Sequence, residues 1–151
     1  MDLLVELRLQ KDIDFKLTEV LELNESSEII EPNEIEKYKI LLSEDNFHHD
    51  ERKSATNWLT ETLTSLRENK KLSELKKTLL RFEDVNFFFS NVDQKSDLKG
   101  VYREFANGLH PDKYNFLNRT EQGQGWYKRA EEAFKELANI YQFHKENFDE
   151  E

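Results

Sequence analysis

His110, Pro111 and Asp112 bring an imidazole and a carboxylate within two residues of each other, with a proline between them. Three kinds of work are open to such a string. It can end a helix, with proline as the stop and Asp112 making a turn bond. It can move protons, if the two side chains meet within hydrogen-bond reach in a concave pocket, but the intervening Pro111 works against a shared pocket. It can also present both groups to a partner at a geometry that proline makes rigid, which is a recognition element. Other chemistry-bearing residues point nowhere stronger. His48 and His49 beside Asp50 suggest a metal, yet adjacent histidines point apart on regular structure and no third spaced ligand follows, so they read as a surface turn. Glu131 and Glu132 have no base, metal or glycine loop near them in sequence. The absence of cysteine removes thiol nucleophiles and thiolate metal sites. The expectation is a protein that is not an enzyme and needs no cofactor and no metal.

The segments on either side decide what the tripeptide does. Leu98, Val101, Tyr102, Phe105 and Leu109 recur at i, i+3, i+4, i+7 and i+11, a single apolar stripe, with Asp93 or Ser96 available to cap the helix start. Lys99 and Arg103, four apart, are displaced from the stripe and face solvent. Pro111 disfavours helical geometry at His110, so this helix ends there. Lys113 to Gly125 is polar and contains two glycines, and reads as a loop. Trp126, Ala130, Ala133, Phe134, Leu137, Ile140 and Tyr141 form a second stripe. Two stripes joined by a loop predict a helical hairpin with its apolar faces in contact.

Upstream, all four glycines lie after residue 99 and Pro32 is the one strong punctuator before it. Leu3, Val5, Leu7, Leu9, Ile13, Phe15 and Leu17 alternate with polar residues at strand period, but no turn separates the halves, so residues 2–17 stay open between strand and helix. Asn24 to Glu31 reads as a loop, and Pro32 suits the first turn of a helix. Ala55, Leu59, Leu63 and Leu66 predict a further helix ending near Asn69, followed by a separate apolar series through Leu72, Leu75, Leu79 and Phe82. Lys70, Lys71, Lys76, Lys77 and Arg81 make this stretch locally basic, interleaved with Glu68 and Glu74 as a solvated helix face is.

The chain as a whole has 151 residues with 36% apolar content, enough for one ordinary domain or two small ones. Its 32 acidic against 22 basic residues, net −10, argue against a binder of nucleic-acid phosphates. Charges at Glu6 and Arg8 interrupt the apolar run a signal peptide needs, and no segment is long and apolar enough for a bilayer, so the reading is a cytoplasmic protein with no membrane partner.

Residues from about 82 to 145 resemble a J-domain, the module by which DnaJ-like co-chaperones engage heat-shock 70 kDa (DnaK-type) chaperones. Phe87 to Val92 is similar to the short first helix and its exit, and Leu98 to Ala106 to the second helix. His110, Pro111, Asp112 and Lys113 match the signature loop, and Phe134 to Tyr141 the third helix. The resemblance implies that His110, Pro111 and Asp112 contact the chaperone's ATPase domain and linker, with Asp112 pairing an arginine and promoting ATP hydrolysis. It also implies that Lys99, Arg103 and Lys113 dock on an acidic chaperone surface. Two departures stand out: Asn107 and Gly108 occupy a turn that is usually basic, and the 29 residues from Asp112 to Tyr141 exceed the family's usual spacing. The implied protein is a specialised co-chaperone of mostly α fold, with helices near 96–109 and 126–145 packed with a helical N-terminal region. Residues 1–80 would be an N-terminal adaptor or regulatory region that takes a client or adaptor partner, 81–145 the J-domain-like part and 146–151 an acidic tail. A J-like interaction or assembly module without ATPase stimulation is the alternative.

Overall fold

The computed structural model describes residues 3–148, with side chains described from Arg8 onward. Among the described residues the fold is helical throughout, without strands: α1 (Leu3–Ser27), α2 (Pro32–Leu41), α3 (His49–Phe82), α4 (Val85–Ser90), α5 (Asp97–Leu109), a 3-10 segment (Pro111–Arg119) and α6 (Glu121–Glu146). Among the described residues, no helix is long and apolar enough to cross a membrane. The chain divides into two compact units, residues 1–70 and 71–151, with the division inside α3.

In the first unit the open question over residues 2–17 is answered as helix from Leu3 onward. Ile13, Leu17, Val20 and Leu21 lie at i, i+4, i+7 and i+8 and turn inward, whereas Leu9 and Phe15, members of the alternating series, are left exposed. Helical period wins because the buried partners are helices, which offer a stripe rather than a sheet face. The side chains of Leu3, Val5 and Leu7 lie outside the described residues, as do Met1 and Asp2. Asn24 closes the end of α1 with its own side chain: its amide donates to the Ile30 carbonyl (3.0 Å) and its oxygen accepts the Ile30 N–H (2.8 Å). Pro32 sits in the first turn of α2, where a missing N–H costs nothing. Ile35, Leu42, Ala55, Leu59, Leu63 and Leu66 complete this unit's buried cluster.

The expected break near Asn69 is absent, and α3 runs unbroken for 34 residues. No proline or glycine falls between His49 and Phe82, so nothing in the backbone stops a helix once both flanking stripes are helical. Leu75 and Leu79, from its last turns, are buried in the second unit's cluster with Val85, Phe89, Leu98, Phe105, Leu109 and Leu137. In that cluster α5 and α6 run antiparallel, since Tyr102 packs on Tyr141 (4.8 Å between centroids) while His110 packs on Phe134 (5.0 Å). Phe148 packs at its edge, and residues 149–151 of the acidic tail lie outside the described residues.

Two local expectations are corrected. Ser96 precedes α5 but its side chain makes no capping bond; Asp97 accepts the Gln94 N–H instead (3.3 Å). The stretch Lys113 to Gly125 is not a loop: the 3-10 segment fills its first half and α6 begins at Glu121, five residues before Trp126. Tyr114 and Leu117, three apart and both buried, hold the 3-10 turn on the core. The Thr120 hydroxyl then accepts the Gly123 N–H (2.9 Å) and starts α6. Gly123 serves close packing rather than looping, because a Cβ there would lie 2.1 Å from the Leu117 carbonyl oxygen. Gly123→Ala is therefore expected to lose about 1–3 kcal/mol through overpacking, even though alanine gains about 1 kcal/mol of helix propensity over glycine. Gly125, with nothing within 4 Å of a built Cβ, is the control. Thermal melts should rank Gly123→Ala below wild type and Gly125→Ala at or above it, and the reverse order would contradict this packing.

Candidate functional site

At about 100° per residue, Lys99, Arg103 and His110 fall within a sector of about 40° on α5. All three are exposed, and among the described residues neither Lys99 nor Arg103 takes part in an ion pair. The opposite flank of α5 is covered by α3. There Arg81 pairs with Glu104 (2.9 Å) while its guanidinium lies over the rings of Phe88 and Phe105, 5.2 and 5.4 Å from their centroids. One turn on, Gly108 lets α3 come so close that a Cβ would meet the Thr78 side chain at 2.8 Å. The locally basic stretch of α3 is thus partly engaged, with Lys76 also 4.9 Å from the Trp126 ring. The basic sector of α5 stays open to a partner.

The sector ends at the tripeptide. His110 leaves the helix with φ −57° and ψ 119°, the extended geometry that a following proline requires. Its Nδ1 accepts the Asp112 N–H (3.2 Å), which in the neutral ring puts the proton on Nε2. The Asp112 carboxylate is 3.8 Å from Nδ1, beyond hydrogen-bond length, so the two side chains are held as neighbours and not as a bonded acid–base pair. At 85% exposure and with no lysine or arginine paired to it among the described residues, that carboxylate faces outward unneutralised. The imidazole is half exposed and braced by Phe134. Two shallow cavities, of about 400 and 280 Å³, are lined by residues of the first unit alone and do not touch this turn.

Scans of the chain against protein-family models, curated proteins and solved structures return no match. The chemistry must therefore be read from the residues themselves. Lys99 and Arg103 share an exposed sector of α5, and His110 and Asp112 are exposed in the turn that follows it, with the partly exposed Pro111 between them. Lys113 is exposed too, but its ammonium is spent on the Asn107 carbonyl. His48, His49 and Asp50 are exposed at the start of α3, and no cluster of metal-ligating side chains occurs among the described residues.

Tyr114 is the participant that sequence reasoning missed. It is buried, its hydroxyl donates to the Gly108 carbonyl (2.5 Å), and burial, followed by the nearby Glu74 carboxylate, pushes its pKa up. The i, i+3 spacing of Tyr114 and Leu117 was the available signal, masked by polar neighbours.

Proposed function

We propose that this chain is a J-domain co-chaperone that binds a heat-shock 70 kDa chaperone of the DnaK type and stimulates its ATPase. One observation carries the reading: an outward, unneutralised Asp112 and a braced His110, joined by Pro111, follow directly on the helix that exposes Lys99 and Arg103. A carboxylate so presented suits a bidentate arginine on the partner, a strong and directional bond once water is excluded. The two cations suit an acidic chaperone surface, where they steer encounter and set orientation more than they add affinity. The ATP chemistry belongs to the partner, whose populations this chain shifts by binding one state better than the other. Residues 1–80 act as adaptor or regulator for a client, in a cytoplasmic setting.

Asn107 and Gly108, in place of basic residues, favour a second reading, an interaction or assembly module that binds without stimulating. The test is single-turnover ATP hydrolysis by the chaperone with and without the full chain. A rate that rises and saturates with added chain is expected. Binding with no change in rate would select the second reading, and no binding would remove both.

A further inference from the structure

The residues just after the tripeptide repair a defect that the tripeptide makes. The last four carbonyls of a helix have no intrahelical donor, and here the usual remedies are blocked. The Asn107 carbonyl would take its bond from residue 111, which is proline and has no N–H. The Gly108 carbonyl would take its bond from residue 112, whose N–H is turned to His110 Nδ1 instead. Side chains supply both missing donors: the Lys113 ammonium donates to the Asn107 oxygen and the Tyr114 hydroxyl to the Gly108 oxygen. The two bonds span the tripeptide from the residues behind it to the residues ahead of it. Each crosses six residues, so together they close the turn into a small double ring.

From this geometry we infer that Lys113 and Tyr114 are positioning residues, which hold His110 and Asp112 in their presented arrangement by capping the end of α5. The Tyr114 bond is sheltered: its ring is in the core, and Thr78 of α3 lies against Gly108, shielding the same carbonyl-bearing residue. A tyrosine hydroxyl is protonated, hence a donor, across the neutral range, and burial and Glu74 only push its pKa further up. The Lys113 bond is exposed, where water competes for the ammonium and its long side chain loses entropy on being held, so it is the weaker clamp. A charge used in this way also complements the negative end of the α5 dipole. The role assigned to Lys113 thereby differs from a free docking charge, although it serves the same turn. The inference deepens the co-chaperone reading and rests on it for one of its two readouts.

Tyr114→Phe keeps the buried ring and removes only the donor; Lys113→Met keeps the stem and removes the other. In the free 151-residue chain, backbone amide order parameters by nuclear magnetic resonance are expected to be about 0.85 for His110, Asp112 and Lys113. In Tyr114→Phe they should fall toward about 0.6 or below, with a smaller fall in Lys113→Met. Amides of Phe105 and Leu137 should not change, which separates loosening of the turn from loss of the fold. In the ATPase titration, a turn that is competent only part of the time raises the half-maximal concentration by the inverse of that fraction, about tenfold for a tenth competent, and keeps the maximal rate. A merely structural role would lower the melting temperature without this split. Unchanged turn order in both variants would overturn the inference. Loosened turns in a chain whose wild type does not stimulate the chaperone would leave this inference standing and remove the functional one.

Discussion

Asp112→Asn is expected to abolish the stimulated part of the chaperone's ATP hydrolysis while leaving the chain folded. The two halves of that expectation have separate physical grounds. Within the chain, the carboxylate is 85% exposed and stands 3.8 Å from His110 Nδ1, beyond hydrogen-bond length, so the substitution removes nothing the fold depends on. Surface changes of this kind stay within about 0.5 kcal/mol. At the interface, the same carboxylate is the group that would be desolvated against an arginine, and truncating one partner of such a pair costs about 2–5 kcal/mol. That corresponds to roughly 30- to 5,000-fold in affinity. His110→Gln should act alike, because it removes the Nδ1 that accepts the Asp112 N–H and the ring that packs on Phe134. Single-turnover hydrolysis at matched concentrations, with circular dichroism of each variant, makes the check. Stimulation by Asp112→Asn equal to wild type would remove this aspartate from the mechanism.

The largest stability effect should come from Phe105→Ala. This ring is 2% exposed and sits where three elements converge, edge-on to Phe82 of α3 (6.0 Å) and Phe88 of α4 (5.6 Å), with the Arg81 guanidinium 5.4 Å from its centroid. Removing it forfeits the burial of an aromatic side chain and leaves a cavity that three helices cannot close together, at a cost of about 3–5 kcal/mol. Since whole domains are stable by only about 5–15 kcal/mol, the second unit would be left close to its unfolding threshold. Urea unfolding followed by Trp126 fluorescence in a Trp58→Phe background reads that unit specifically, and Phe87→Ala, at an exposed position, is the control. A loss under about 1 kcal/mol at Phe105 would mean that the core is not organised around it.

Legibility followed the range of the forces involved. The stripes of α5 and α6 were plain in the sequence because amphipathic periodicity is a local consequence of burying one face, and Pro32 and Pro111 mark helix boundaries through their own ring geometry. The first 17 residues could not be settled locally, since Leu9 and Phe15 fit a strand pattern and only the helices that receive Ile13 and Val20 choose between periods. The continuity of α3 was hidden for the opposite reason: two apolar series with a polar interval look like two helices, yet nothing at Asn69 breaks the backbone hydrogen bonds.

By itself, then, the sequence determined that the chain is mostly helical, where α5 must stop, and that an imidazole and a carboxylate flank the proline that stops it. Those follow from side-chain period and from the chemistry of one ring. Tertiary structure decided which of the surrounding charges remain free. Lys99 and Arg103 stay open because α3 packs on the other flank of α5, while Lys113 is turned back onto a carbonyl that proline left without a donor. It also decided that Tyr114, lost among polar neighbours, is buried beneath the turn, and that Gly123 is a contact rather than a hinge. Burial and unmet backbone bonds are properties of the packed chain, and no periodicity in the sequence encodes them.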